Sequence, residues 1–241
     1  MKLLFVADLH YSLKQFDWLL GQAAAHDLVV IGGDLLDLGS SLDIDVQIAV
    51  VEKYLHRLRQ QTRVVVSSGN HDGDSRNEND ESVALWLQEA RANGLFVDGD
   101  RVALPGVVFT ACPWWDGPLS RKTLEEQLVR EAALPREGKW IWVHHAPPAG
   151  SPVCWTGRKS AGDEVLREWI ARFRPDMVLS GHIHDSPFHA RGAWIDRIEG
   201  TWVFNPGRQP GPCPSYLSLD FGEMTVDWTS FEGRESRVLG D

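Results

Sequence analysis

Carboxylate and imidazole side chains follow short apolar runs at several points in the chain. Asp8-Leu9-His10 follows the run Leu3–Ala7, and Gly33-Asp34 follows the run Leu28–Ile31, with Asp37 three residues further on. Side chains at positions i and i+2 that leave a strand point in the same direction, so Asp8 and His10 could bind one cation. The pattern indicates a metal site assembled from strand ends.

Three later segments each contain potential metal-binding side chains close together in the sequence. They are Gly69-Asn70-His71-Asp72, His144-His145 and Gly181-His182-Ile183-His184, and each follows a further apolar run. A single Asp-x-His or Gly-Asp pair is equally consistent with chance or with a turn. All five segments, however, come after a predicted strand, at the edge where open α/β sheets bind their ligands. Their joint occurrence favours a metal-dependent enzyme.

The elements that position these residues alternate between strand and helix. Buried strands are predicted for six runs, which are Leu3–Ala7, Leu28–Ile31, Arg63–Ser67, Val107–Ala111, Trp140–Val143 and Met177–Leu179. Helical patterns fill much of the sequence between them, around residues 13–25, 45–60, 80–93, 120–133 and 162–173. Such alternation is typical of an α/β sheet.

The pattern changes after residue 190, where four short strand-like runs leave no room for helices. They are Trp194–Ile198, Thr201–Phe204, Tyr216–Asp220 and Thr225–Trp228. This tail is typical of a β-meander. Because neither an internal repeat nor a linker divides the sequence, we expect one domain over residues 1–241.

Composition narrows the class of protein. The chain of 241 residues is 43% hydrophobic and 24% charged, as ordinary globular proteins are. No apolar stretch approaches the roughly 20 residues that span a bilayer, and the first run is too short for a signal sequence, so we expect a cytoplasmic protein without membrane contact. Its three cysteines form no CxxC pair, which argues against a zinc–thiolate site. The net charge of −10 opposes binding to nucleic acid, although a local basic patch would still permit it.

The ordered motifs resemble those of the calcineurin-like metallophosphoesterase superfamily, in particular its small bacterial-type members. The motifs are Asp8-x-His10, Gly33-Asp34-x-x-Asp37, Gly69-Asn70-His71-Asp72, His144 and Gly181-His182-x-His184, within residues 3–184. The resemblance implies an α/β (α+β) fold, a four-layer α/β/β/α sandwich of two mixed sheets. In this interpretation the tail supplies strands of the second sheet.

The resemblance also implies two metal ions and their ligands. Asp8, His10 and His184 would hold the first metal, Asn70, His144 and His182 the second, and Asp34 would bridge them. A shift of one residue would exchange the roles of His144 and His145, and we favour His144 because it directly follows the strand. Oxygen and imidazole ligands suit divalent or trivalent ions of manganese, iron or zinc.

Two cations about 3.5–4 Å apart would activate a shared water for in-line attack on a phosphoester. By the same resemblance, His71 lies off the metals and stabilises the transition state or protonates the leaving alkoxide. Asp37 and Asp72 would orient imidazoles through their free N–H groups.

We therefore predict a phosphodiesterase or phosphatase that acts on a small phosphoester, as a monomer or homodimer. The serine/threonine protein phosphatase pattern is disfavoured because Asp37-Leu38-Gly39 lacks the arginine of that group. The alternatives are a nuclease of the same superfamily and a catalytically inert binding scaffold.

Other segments give weaker predictions. Trp114-Trp115, Cys154-Trp155 and Arg158-Lys159 could form a substrate wall, although buried packing and solvated charge explain them equally well. Asn205-Pro206-Gly207-Arg208 resembles a segment that follows the last motif in small bacterial members, and a β-turn is the alternative.

Overall fold

The structure is a computed structural model that describes residues 1–240, in which fourteen strands and five α-helices are found. The strands are β1 (Lys2–Val6), β2 (Leu28–Gly32), β3 (Arg63–Ser67), β4 (Ser75–Arg76), β5 (Ser82–Val83), β6 (Arg101–Leu104), β7 (Val107–Ala111), β8 (Lys139–Val143), β9 (Met177–Leu179), β10 (Ile195–Ile198), β11 (Thr201–Phe204), β12 (Tyr216–Asp220), β13 (Thr225–Ser230) and β14 (Gly233–Val238). The helices are α1 (Leu13–Ala23), α2 (Ile44–Arg59), α3 (Leu85–Glu89), α4 (Pro118–Ala132) and α5 (Glu164–Phe173).

Two six-stranded mixed sheets organise the molecule. The first has the order β14-β13-β12-β1-β2-β3, in which β1, β2 and β3 are parallel and the three strands from the tail are antiparallel. The second has the order β10-β11-β9-β8-β7-β6, with four parallel strands at its centre. The carboxyl ends of parallel neighbours meet at one edge of each sheet, which is where loops can combine their side chains.

Three hydrophobic cores follow from the alternation of side chains along the strands. Leu4 and Val6 face α1 and α2, whereas Leu3 and Phe5 face the second sheet. On the second sheet, one strand face joins this central core and the other packs on α4 and α5. The strands are therefore apolar on both faces, as strands covered on both sides must be.

The α/β class and the two mixed sheets are confirmed, and all six predicted buried strands are present. The helix predicted for residues 80–93 is wrong at its start, because β4 and β5 form a hairpin there and α3 begins only at Leu85. The tail is not one meander within the second sheet: β10 and β11 join that sheet, while β12, β13 and β14 extend the first. Strand β14 escaped prediction because all its residues are exposed at a sheet edge.

No helix within residues 1–240 is both long enough and apolar enough to cross a membrane.

Candidate metal centre

Loops at the ends of β1 and β2 run side by side at the sheet edge. The Asp8 N–H donates to the Gly33 carbonyl over 3.0 Å, and the His10 N–H donates to the Asp34 carbonyl over 2.9 Å. These backbone bonds continue the pairing of the two strands beyond the sheet. They hold Asp8, His10 and Asp34 against one another.

Backbone strain accompanies the residues of this edge. Asp8, His10, Asp34 and His182 have φ angles of 56°, 42°, 55° and 65°, in the left-handed region that non-glycine residues rarely adopt. Each such residue costs of order 1–3 kcal/mol and persists only where its surroundings fix it. Strain that coincides with the predicted ligands indicates that side-chain direction, rather than stability, governs these loops.

Two glycines allow the loops to come this close. A Cβ at Gly69 would lie 2.2 Å from Asp34 Oδ1, and one at Gly181 would lie 2.5 Å from Asp8 Oδ2. Any side chain at either position would displace a carboxylate. The glycines of the Gly-Asn-His-Asp and Gly-His-x-His motifs are therefore required by packing around Asp8 and Asp34.

A first group of potential ligands comprises Asp8, His10, Asp34 and His184, whose ligand atoms lie within 4.8 Å of one another. Asp8 Oδ1 is 3.3 Å from His184 Nε2, and Asp34 Oδ2 is 3.5 Å from His10 Nε2. The Nε2 atoms of His10 and His184 are only 3.1 Å apart. Two imidazole nitrogens that converge on two carboxylates form a donor set suited to a cation.

A second group comprises Asp34, His145 and His182, and therefore shares Asp34 with the first. His145 Nδ1 lies 2.7 Å from the Gly32 carbonyl, so the neutral ring would carry its proton on Nδ1 and offer the Nε2 lone pair to a metal. This Nε2 is buried without a hydrogen-bond partner, 3.1 Å from Asp34 Oδ2. Asn70 Oδ1 is likewise buried and unpartnered within the part of the chain described here. Orphaned acceptors of this kind fit a bound cation.

The ring that faces Asp34 is that of His145, and not that of the predicted His144. His144 directs Nδ1 to the Ala146 carbonyl, and its ring packs on Trp115 at 4.3 Å between centroids. The reason is the two-residue period of the strand. Val143 points into the core between the sheets, so His145 points the same way and His144 points to the opposite side.

The pKa values of these buried side chains are shifted strongly from their usual values. Burial would raise the pKa of Asp34, but the charge and hydrogen bond of His145, the His71 N–H and the charge of His10 together outweigh burial and lower it below the usual range. Burial would lower the pKa of His145, but Asp34 and Asp8 raise it to about 9. Burial lowers the pKa of His10 and of His182 to about 4, so these two rings are neutral near pH 7. Without a cation, protonated His145 therefore supplies the positive charge beside Asp34 and Asp8, and a bound cation would take over that role.

Asp72 does not orient an imidazole, contrary to the prediction. Its carboxylate accepts the backbone N–H groups of Asp34, Leu35, Leu36 and Gly69 over 2.8–3.0 Å. Asp72 thereby joins the loop that carries Asp34 to the loop that carries Asn70. It is a positioning residue for the backbone.

Asp37 and His71 lie beside the first group. Together with His10, they bring ligand atoms within 4.8 Å of one another. His71 Nδ1 accepts the Leu38 N–H over 3.2 Å, so the neutral ring carries its proton on Nε2. Asp37 Oδ1 accepts the Gly39 N–H over 2.8 Å and thereby braces the same loop.

Two further residues belong to the centre. The Trp114 ring lies 5.8 Å from the His145 ring and 5.5 Å from the His182 ring, between centroids. The exposed Arg208 donates from Nε to the Asp8 carbonyl over 3.2 Å. Trp114 was predicted only as a weak wall residue, and no role at the metals was predicted for Arg208, because its proximity depends on a contact across 200 residues.

The other wall residues do not converge with Trp114. Trp115 packs between His144 and Trp169. Trp155 lies under the guanidinium of Arg191. Cys154 is buried, while Arg158 and Lys159 are exposed.

Two solved structures similar to this chain share its fold. TT1561 of Thermus thermophilus is 13% identical with a TM-score of 0.58, and the alignment covers 99% of each chain. Purple acid phosphatase PPD1 from yellow lupin seeds is 13% identical with a TM-score of 0.57, over 100% of this chain and 52% of that one. A weaker likeness is to the phosphoesterase Yfce from E. coli, which is 17% identical with a TM-score of 0.49 over both full chains.

No curated protein matches the chain. The family described as calcineurin-like phosphoesterase matches residues 1–186, a span that contains all the motifs named above. This match extends over most of the sequence, and the chain therefore belongs to the calcineurin-like phosphoesterase family.

Proposed function

We propose that this protein is a dinuclear metal-dependent hydrolase of a small phosphoester, either a phosphatase or a phosphodiesterase. The observation that carries the proposal is the position of Asp34, which belongs to both groups of potential ligands. A carboxylate shared between two groups of imidazoles is the arrangement that a bridged metal pair requires. Family membership supports the reaction class.

The ligand assignment follows the two groups, together with the unpartnered Asn70 Oδ1. Asp8, His10 and His184 would hold one cation, Asn70, His145 and His182 would hold the other, and Asp34 would contribute to both. His145 replaces the predicted His144. Such a pair supplies Lewis-acid activation of water and neutralises charge on the phosphoryl oxygens. Manganese, iron and zinc all suit these ligands.

The residues around the cations would bind the phosphate and stabilise the leaving group. Because His71 accepts the Leu38 N–H at Nδ1, its Nε2–H can donate a hydrogen bond to a phosphoryl oxygen or to the leaving oxygen. Arg208, tethered through Nε to the backbone of Asp8, leaves its two terminal nitrogens available to an anion at the mouth of the site. Asp72 and Asp37 keep the supporting loops in place.

The proposal is tested by metal content and turnover together. Purified protein is loaded with Mn²⁺ and assayed on p-nitrophenyl phosphate and bis-p-nitrophenyl phosphate, with metal content measured by mass spectrometry. We expect metal-dependent release of nitrophenol, and Asp34→Asn lowers metal content and rate together. Absence of turnover with manganese, iron and zinc alike would favour the inert scaffold instead.

The same assay separates the enzyme alternatives. Preference for the monoester identifies a phosphatase, and preference for the diester identifies a phosphodiesterase. Cleavage of short single-stranded DNA would favour the nuclease, although the net charge of −10 opposes it.

A further inference from the structure

A cavity of about 440 Å³ lies next to the candidate metal centre. It is a partly open cleft lined by the β4–β5 hairpin, by the start of α3 and by the first turns of α4, through residues such as Val83, Ala84 and Leu119. Its volume falls within the roughly 300–1,000 Å³ of pockets that bind small molecules. We call it the Trp114 cavity.

The Trp114 cavity and the metal centre share a wall. Trp114 lines the cavity, and its ring also contacts the rings of His145 and His182. Ser68, a second lining residue, directly precedes the Gly69-Asn70 loop and accepts the Trp114 N–H over 2.9 Å. The cavity therefore adjoins the metal centre across the side chain of Trp114.

The charges of the residues that line the Trp114 cavity determine which chemical groups can bind there. Asp98 and Glu78 line the cavity, and no lysine, arginine or histidine is among the described residues that do so. Asp98 is buried, with its Oδ1 accepting the Ser68 N–H over 2.8 Å. An anionic group would be repelled there, whereas a planar apolar group can lie against Trp114.

We propose that the Trp114 cavity binds the alcohol portion of the substrate, a planar group without negative charge and of aryl to nucleoside size. This inference rests on the proposed hydrolysis at the metal centre, and it narrows the substrate class. It predicts a phosphoester of an aromatic or heteroaromatic alcohol, and it predicts weaker binding of alcohols that carry a second phosphate or a carboxylate.

A bulky substitution at the cavity wall tests the inference. Thr123 lines the cavity from the exposed side of α4, so Thr123→Trp fills the cavity without altering a core. Val129→Trp is the matched control, because Val129 is exposed on the same helix and does not line the cavity. The KM values for 1-naphthyl phosphate and methyl phosphate are measured by release of inorganic phosphate from the metal-loaded protein.

In the wild type we expect the KM for 1-naphthyl phosphate to be roughly tenfold below that for methyl phosphate. Thr123→Trp removes this preference, Val129→Trp retains it, and 4-carboxyphenyl phosphate has a higher KM than p-nitrophenyl phosphate. Equal preference for the naphthyl ester in both variants would overturn the inference and leave the proposed hydrolysis intact. Absence of turnover of these monoesters and of bis-p-nitrophenyl phosphate alike in the wild type would overturn the proposed function, and with it the cavity's role as a substrate site.

Discussion

The neighbouring residues His144 and His145 allow a matched test of the ligand assignment. Both side chains are 0% exposed, and each Nδ1 pairs with one backbone carbonyl. His144→Ala and His145→Ala therefore each open a similar cavity, at a cost of roughly 2–5 kcal/mol, and each remove one hydrogen bond worth about 1 kcal/mol. In the presence of a chelator, His145→Ala additionally removes the buried ion pair with Asp34, so we expect it to lose more unfolding free energy than His144→Ala.

Metal affinity should separate the two variants. Of these two histidines, His145 is the one whose Nε2 approaches Asp34, at 3.1 Å. Loss of a residue that merely supports a metal ligand costs about 10–100-fold in affinity, so loss of the ligand itself in His145→Ala should cost at least that much. Titration calorimetry with Mn²⁺ measures the effect. The reasoning is refuted if His144→Ala loses the metal while His145→Ala keeps it, or if both variants bind it equally.

Three further predictions address two residues beside the metals and one that lines the Trp114 cavity. His71→Ala keeps the metal content but lowers kcat by roughly 10²–10⁴-fold, and full activity in this variant would remove its assigned role. Arg208→Ala raises KM for the phosphoester by roughly tenfold with metal content unchanged, because one charge-assisted contact to phosphate is lost, and an unchanged KM would contradict that contact. Asp98→Asn should stabilise the fold at neutral pH: burial raises the pKa of Asp98 from 3.8 to about 6. The free energy of unfolding of the wild type therefore falls by up to roughly 3 kcal/mol as pH rises from about 4 to 6. Urea unfolding should show that the difference in unfolding free energy between Asp98→Asn and the wild type widens over that range.

Much of the candidate centre could be predicted because its residues sit at fixed offsets from apolar runs. Asp8 and His10 follow β1, and Asp34 follows β2, as the sequence indicated. The parallel arrangement of these strands then brings their ends together. Local sequence was sufficient here because the strand determines the starting point of each loop.

The choice between His144 and His145 depended on information that the sequence does not carry. Strand β8 reads Lys-Trp-Ile-Trp-Val, apolar on both faces after its first residue. Alternation shows that Val143 and His145 share a face, but it does not reveal which face meets the first sheet. That is decided by long-range packing of Val143 in the central core.

The division of the tail between two sheets was equally beyond local sequence. Strands β11 and β12 are both short and partly buried, yet β11 pairs with β9 and β12 pairs with β1. The pairing of β12 with β1 joins residues more than 200 positions apart, with Leu3 opposite Leu219. The position of Arg208 at the metal centre depends on the same long-range pairing.

The most direct test is a crystal structure of the Mn²⁺-loaded protein with anomalous scattering measured at the manganese edge. We expect two peaks about 3.5–4 Å apart, with the Asp34 carboxylate between them and His145 Nε2 in contact with one. A single peak, or peaks away from Asp34, would contradict the dinuclear centre.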